Sequence, residues 1–365
     1  MARHRKARTP QLANKLIVTT SAWLLIFATN CASAAKFGLE IQPERKTGAE
    51  LKKQETNQVR IAQQFGLGYL PLMIVRQHSL IEKHASAAGI GDVQVVWNRY
   101  PSGDAMSQAL RAGFLDIASG GVVPLLRIWD RTREGLGVKG IATLSSMPLY
   151  LNTNNPKVKT LKDFADADRI ALPAVKESIQ AVVLQMAAAQ AFGRENYALL
   201  DRLTVSMAHP DGFVALMSDK AQITAHLTSP PFQYEELENP NIHKVLSSYD
   251  VLNGPATFTT VWTRSQFRDR NPRTFRAVYN ALREAVDIIN KDKRYAAEIY
   301  VQQADSSLSV DTMYQIISKP EIDFSTVPLS VIEYAEFMHQ IGAIGSLPEA
   351  WTEVFFPEIH RERGS

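Results

Sequence analysis

The feature that most constrains the fold is a pattern of strand, helix, strand, glycine-rich turn and helix that occurs twice. The first copy covers residues 93–129, in which 93–97 has the β-branched and aromatic composition of a buried strand. Its first helix carries apolar residues at i, i+3 and i+4, and Gly113 is placed to end it with a left-handed C-cap. A second strand, 115–118, then runs into a turn of small residues before the next helix, where several backbone N–H groups could face one anionic group.

The second copy covers residues 203–236. It predicts a strand at 203–207, a turn at 209–212 and a second strand at 222–227 that ends in another turn. A duplicated unit of this kind favours two similar α/β lobes whose strand-end turns face one cleft. It is equally typical of one large doubly wound sheet, and the pattern alone leaves both architectures open.

The N-terminus has the composition of a secretory signal peptide over residues 1–34. Five basic residues without an acid precede the apolar run 16–28, and Ala32-Ser33-Ala34 then supplies a small-x-small cleavage pattern before Ala35. The apolar run is short for a membrane span, which disfavours an uncleaved anchor. Residues 35–56 are polar and predict a flexible leader.

The single cysteine, Cys31, precedes the predicted cleavage site. Asn30 stands where a lipid-anchor motif has a small residue, so lipidation of Cys31 is disfavoured. A mature chain without cysteine excludes disulfides, thiol catalysis and cysteine metal sites. Cleavage also removes basic residues only, which leaves a slightly acidic protein without a basic run suited to nucleic acid.

The catalytic motifs that can be sought in a single sequence are missing or stand in the wrong context. The glycines at 135, 137 and 140 have dinucleotide-binding spacing but precede a strand, and no G-x-S-x-G motif occurs. No two histidines of the mature chain have metal-ligand spacing. His209 and His226 fall at predicted strand ends that face the cleft, where each is either a donor to a ligand or a structural residue.

Three stretches carry a resemblance to a known family. These are YPSGDAMSQALRAGFLDIASGG at 100–121, ESIQAVVLQMAAAQAFG at 177–193 and TRSQFRDRNPRTFRAVYNALREAVDIIN at 263–290. In this order and spacing they resemble the solute-binding proteins of ABC importers, in particular the nitrate, sulfonate and taurine group. The similarity extends over residues 59–356.

The resemblance implies an α/β, two-lobed type II periplasmic-binding-protein fold, in which each lobe is a mixed sheet flanked by helices. Residues 57–151 and 253–365 would form lobe 1 and residues 152–252 lobe 2. The implied function is capture of a small anionic or polar solute between the lobes and its delivery to a membrane permease with its ATPase. A periplasmic monomer without a cofactor, a metal or catalytic activity is expected.

The resemblance also implies where the ligand binds, because helix N-termini of the two lobes hold the anionic group in such proteins. The residues that correspond to these helix N-termini, to the turn after the first strand and to the strand end of the second copy are Gln64, Phe65, Gly66, Leu67, Ser119, Gly120, Gly121, Ser178, Gln180, His226, Thr228 and Ser229. The chain departs from the family at Lys220 and Gln222, where a glycine and an aspartate are common. It departs again at residues 227–229, which lack a tryptophan and an acid, and this predicts a wider pocket that tolerates negative charge.

Two other functions compete with solute binding. A pyrimidine-precursor binding protein or enzyme of the thiamine-biosynthesis type resembles the same fold, but those enzymes use a cysteine-rich segment that the mature chain lacks. A sensory ectodomain would need a later transmembrane run, and the sequence has none.

Overall fold

The computed structural model describes residues 54–218, 222–304 and 306–365, in which ten strands form two five-stranded mixed sheets. The predicted signal peptide, Cys31 and most of the polar leader lie outside these ranges. In chain order the strands are β1 (Gln58–Gln63), β2 (Gln94–Arg99), β3 (Ile117–Gly121), β4 (Val138–Ser146), β5 (Tyr150–Thr153), β6 (Ile170–Leu172), β7 (Thr204–Ser206), β8 (Ala225–Thr228), β9 (His243–Ser247) and β10 (Thr257–Arg264).

The helices flank both sheets, and the long amphipathic ones are concentrated after β10. They are α1 (Leu70–Gln77), α2 (Leu80–Ala87), α3 (Gly103–Arg111), α4 (Val122–Thr132), α5 (Ile179–Phe192), α6 (His209–Met217), α7 (Phe232–Glu236), α8 (Ser248–Leu252), α9 (Ser265–Arg270), α10 (Pro272–Lys291), α11 (Lys293–Ala304), α12 (Val310–Ile317), α13 (Val331–Gln340) and α14 (Trp351–Val354). Within the described ranges, none of these helices combines the length and apolar character needed to cross a bilayer.

The two sheets have the same pattern of strand directions. The first has the order β2-β1-β3-β10-β4, and the second has the order β7-β6-β8-β5-β9. In each sheet the first three strands are parallel, and the fourth is antiparallel to both of its neighbours. The alternative of one doubly wound sheet is therefore wrong, and the predicted α/β fold with two mixed sheets is confirmed.

Three residues at element boundaries have the geometry that their residue types favour, and one of them, Gly113, ends α3 as predicted. Ser178 is the N-cap of α5, and its Oγ accepts a hydrogen bond of 3.2 Å from the backbone N–H of Ala181. Gly113 follows α3 with φ 81°, in the left-handed region that glycine enters without strain. Gly66 has φ 107° and lets the chain turn from β1 into the short helical turn before α1. Of these three residues, Gly66 and Ser178 lie at the ends of elements that border the cleft.

Two predicted turns have a different structure. Residues 119–121 belong to β3 instead of a loop, because the backbone of Ser119, Gly120 and Gly121 pairs with β10. Residues 209–212 form the first turn of α6, in which a proline occupies one of the first two helical positions, where its missing N–H costs no helical hydrogen bond. Both differences shorten the connections and leave fewer free N–H groups in the cleft than the sequence predicts.

Candidate functional site

Two adjoining cavities lie between the helices that follow β1 and β3 and those that follow β6, β7 and β8. We call the smaller one the inner cavity; its volume is about 10 Å³, which is room for about one water molecule. The outer cavity has a volume of about 380 Å³ and shares Gln64 and Phe65 with the inner one. A ligand larger than a water molecule therefore fits the outer cavity directly and fits the inner one only if its walls separate.

The inner cavity is built from helix N-termini that belong to different sheets. Gly121 is the N-cap of α4, which follows the first sheet, and Ser178 caps α5, which follows a strand of the second. The two ends touch, since a methyl group on Gly121 would lie 2.7 Å from Ile179 Cγ2. The walls are Gln64, Phe65, Tyr69, Gly103, Gly121, Pro124, Pro173, Ser178, Ile179, Gln180, His209 and Phe258. Helix N-termini favour negative charge, so this cavity is electrostatically suited to an anionic group.

Polar contacts hold the two sides of the cleft together. The backbone N–H of Leu67 donates a hydrogen bond of 2.8 Å to the carbonyl oxygen of Pro230. Arg127 of α4 donates from Nη2 to the carbonyl oxygen of Lys176, at 2.7 Å. These bonds join elements of the first sheet to elements of the second across the cleft.

The outer cavity combines aromatic rings with a few ionisable groups. Its walls are Gln64, Phe65, Gly66, Met73, Arg99, Pro210, Phe213, Val214, Pro231, Phe232, Glu235, Tyr300, Ala304, Ser306 and Ser307. The Arg99 guanidinium lies over the Phe65 ring, 5.1 Å from its centroid. Partial burial and the nearby Glu238 and Glu236 carboxylates raise the pKa of Glu235 to about 7. The cavity thus presents one cation and one carboxyl group that titrates near neutral pH.

Behind the inner cavity, four buried side chains form a hydrogen-bonded series that we call the histidine relay (Gln180, His209, His226 and Glu236). Gln180 Nε2 lies 3.1 Å from His209 Nε2, and His209 Nδ1 lies 3.3 Å from His226 Nε2. His226 Nδ1 in turn lies 2.6 Å from Glu236 Oε1. The relay connects the wall of the inner cavity to a carboxylate that is completely buried.

The groups around the relay are polar. Among the described residues, no lysine or arginine side chain forms a hydrogen bond or ion pair with it. Asn152 Nδ2 donates to Glu236 Oε2 at 2.8 Å, and the Thr228 hydroxyl lies 3.1 Å from His209 Nδ1. Burial, followed by the nearby His226, lowers the pKa of His209 well below its ordinary value. His209 is therefore neutral at physiological pH, and its two ring nitrogens comprise one donor and one acceptor.

The structure brings only part of the predicted site together. Gln64, Phe65, Gly121, Ser178 and Gln180 all line the inner cavity, and Gly66 lines the outer one. The predicted positions that line neither cavity are Leu67, Ser119, Gly120, His226, Thr228 and Ser229.

Three of the residues outside the cavities have other contacts that explain their positions. Ser119 Oγ donates to the carbonyl oxygen of Ala62 at 2.6 Å, and Gly120 accommodates Trp262, whose Cη2 would lie 2.8 Å from a methyl group there. His226 is a buried strand residue within the relay instead of a residue at the cleft surface. The buried Ser229 hydroxyl has no hydrogen-bond partner among the described residues.

Sequence reasoning missed most of the outer cavity. Arg99, Phe213, Phe232, Glu235 and Tyr300 come from β2, α6, α7 and α11, and none belongs to a recognisable motif. The one available signal was the position of Phe232 and Glu235 directly after the strand-end turn at 228–230. Tyr300 is distant in sequence and is brought to the cleft only by tertiary packing.

Comparison with known proteins identifies a family and a fold. The model of the NMT1-like family matches residues 52–302, and no curated protein matches the chain. Among solved structures, the alkanesulfonate-binding protein SsuA from Xanthomonas axonopodis pv. citri bound to MOPS has a TM-score of 0.64 at 16% identity, covering 82% of this chain and 97% of that one.

Two further structures agree with this fold. The periplasmic aliphatic sulphonate binding protein SsuA from Escherichia coli has a TM-score of 0.60 at 17% identity, over 82% of this chain and 97% of that chain. The periplasmic nitrate-binding protein NrtA from Synechocystis PCC 6803 has a TM-score of 0.56 at 14% identity, over 70% of this chain and 69% of that chain. At these identities the likeness establishes a periplasmic-binding-protein fold and leaves the ligand open.

Proposed function

The chain belongs to the NMT1-like family, and from that premise we propose that it is the extracytoplasmic solute-binding component of an ABC importer. It captures a small anion of the sulfonate, taurine or nitrate class between two lobes and delivers it to a permease and its ATPase. One observation carries the proposal: the N-terminus of α4 and the N-terminus of α5 meet at the inner cavity from opposite sides. Both helix dipoles then favour the same negative charge.

Each cavity binds a different part of the solute. The anionic group enters the inner cavity, where Gln64, Ser178 and Gln180 supply polar side chains. The remainder of the solute occupies the outer cavity among aromatic rings, which suits a short alkyl chain or a ring. Hydrogen bonds join the two sides of the cleft, so the structure corresponds to a closed form, and its inner cavity is too small for a sulfonate. Binding therefore requires the lobes to open and then to close around the solute with the inner walls further apart than they are here.

We propose the lobe limits 57–151 with 253–365 and 152–252 for this motion. The order of strands supports them, since β1 to β4 and β10 belong to one sheet and β5 to β9 to the other. A cleaved signal peptide over residues 1–34, a periplasmic location, a monomeric state and the absence of enzymatic activity complete the proposal.

A planar nitrogen heterocycle of the pyrimidine class is the second candidate ligand. Phe65, Phe213 and Phe232 line the outer cavity, and a ring could stack on any of them. Glu235 lies in the same wall and would accept hydrogen bonds from ring amino groups.

Thermal-shift measurements distinguish the candidates, because a ligand that binds the folded state raises its melting temperature. The panel contains ethanesulfonate, taurine, nitrate, acetate and an aminopyrimidine, in imidazole or bis-Tris buffer. Sulfonic-acid buffers are excluded because they belong to the proposed ligand class. A shift with ethanesulfonate, taurine or nitrate supports the proposal, whereas a shift with the aminopyrimidine alone favours the second candidate. No shift with any anion would reject the proposed function.

A further inference from the structure

We propose that the histidine relay couples anion binding to proton uptake by the buried His226–Glu236 pair, so that the anion binds together with a proton. This inference rests on the proposed function, because it assigns a role to groups behind the inner cavity. The relay can couple the two events because it lines the inner cavity at one end, through Gln180 and His209. At its other end it contains a fully buried carboxylate, Glu236.

We assign the relay one protonation state from these contacts. The Gln180 amide nitrogen faces His209 Nε2 and must donate, so Nε2 of His209 carries a lone pair and its proton is on Nδ1. His209 Nδ1 then donates to His226 Nε2, and His226 Nδ1 donates to Glu236. Every donor points towards the carboxylate, and the relay as a whole carries one negative charge.

One added proton reverses the hydrogen bonds without moving the rings. With a proton on each ring nitrogen, His226 donates from Nε2 to Nδ1 of His209, whose own proton then sits on Nε2. The Gln180 amide must rotate so that its oxygen accepts this proton, which releases its NH₂ group. The Thr228 hydroxyl, 3.1 Å from His209 Nδ1, accepts in the first state and donates in the second.

Both consequences of the added proton favour an anion in the inner cavity. The buried relay changes from one negative charge to no net charge, which removes a repulsion acting through a low-dielectric interior. The rotated Gln180 side chain also presents N–H donors where it previously presented a carbonyl oxygen. By reciprocity, an anion in the cavity raises the proton affinity of the relay.

Other charged groups near the relay define the controls. Glu235 precedes Glu236 on α7 and lines the outer cavity, and Glu238 follows on the same segment. Asp211 lies in the first turn of α6, beside His209. From β5 and β8, the side chains that contact the relay are the uncharged Asn152 and Thr228. Because Glu235 titrates near neutral pH, the measurement is made in Glu235→Gln protein to remove its contribution.

Calorimetry of ethanesulfonate binding at pH 7 in imidazole and in bis-Tris measures the protons taken up, because the two buffers have different ionisation enthalpies. We expect uptake of a fraction of one proton and an affinity that falls by up to about tenfold per unit increase in pH. Adding Glu236→Gln removes the carboxylate whose negative charge stabilises the doubly protonated His226, and uptake should vanish. His243→Gln is the matched control, since His243 bonds to the carbonyl oxygen of Val158, outside the relay, and uptake should persist.

Ring nitrogen shifts in NMR provide a second readout that does not depend on affinity. Ethanesulfonate should convert His226 to the doubly protonated form and move the proton of His209 from Nδ1 to Nε2. If Glu236→Gln does not fold, His226→Asn replaces it, because its amide still donates to Glu236 but cannot take up a proton. Tight binding without proton uptake, and with unchanged ring shifts, overturns the coupling but not the proposed function. Absence of anion binding overturns both.

Discussion

Replacing Gly121 with alanine tests whether the contact between the two helix N-termini closes around the ligand. The backbone of Gly121 has φ −63° and ψ 160°, which any residue adopts, so the substitution adds no conformational strain. The new methyl group would lie 2.7 Å from Ile179 Cγ2 and 2.8 Å from its Cβ, well inside the roughly 3.5–4.0 Å of an ordinary carbon contact. Relief requires movement of a backbone-linked Cβ, and the simplest movement separates the two sides of the cleft.

The expected magnitude follows from the cost of overpacking, which is about 1–3 kcal/mol. If the collision exists only in the closed form, Gly121→Ala should weaken ethanesulfonate binding about 5- to 150-fold. The melting temperature without ligand should stay close to that of the wild type. X-ray scattering should show a smaller compaction when ligand is added.

Gly135→Ala is the matched control, because a methyl group there meets no atom within 4 Å. It should leave affinity, melting temperature and scattering unchanged. Wild-type affinity in Gly121→Ala would refute the reasoning. A melting temperature that falls equally with and without ligand would show that the contact never opens.

Three further outcomes are expected. Ser178→Ala should cost about 1 kcal/mol of stability through loss of the α5 cap, and it should also weaken anion binding. Ser309→Ala removes the equivalent cap of α12 and should lower only the melting temperature. If Ser178→Ala binds the anion as tightly as the wild type, Ser178 acts only as a cap. The pKa of Glu235 is raised to about 7 in the folded state, so the stability that its protonated form contributes is lost as pH rises through about 7. Glu235→Gln should therefore have a higher melting temperature than the wild type at pH 8 and the same melting temperature at pH 4. Equal melting temperatures at both pH values would contradict the raised pKa. Intact mass of periplasmic protein should place the mature N-terminus at Ala35, and a lipid-sized increment on a chain that retains Cys31 would contradict this.

The sequence was most informative where function depends on the backbone. A cap is a local feature, and the type and position of Ser178 predicted correctly that it caps α5. The same reasoning placed Ser119 and Gly120 in a turn, because it did not include β10, whose pairing extends β3 through both residues. Local propensity contains no information about a partner strand that lies far along the chain.

Side chains that act through long-range packing could not be predicted. Glu236 reads as one acid among several on a short polar helix, and only the fold places it against His226. Tyr300 reads as a core residue of an amphipathic helix, yet it lines the outer cavity. Such positions depend on how helices dock across the sheets, which the hydrophobic pattern does not specify.

The antiparallel strand β10 governs the order in which the two sheets can assemble. All strands of the second sheet lie between Tyr150 and Ser247, so this sheet can form from one continuous stretch of chain. The first sheet needs β10 between β3 and β4, and closing the loop from Ser146 to Thr257 costs entropy before any pairing offsets it. We therefore expect the second sheet to form first during synthesis. Until β10 has been synthesised, β3 and β4 lack the strand that pairs with both of them. During that interval the first sheet is open to pairing with another chain, and this is the stage of folding at which the protein is most exposed to aggregation.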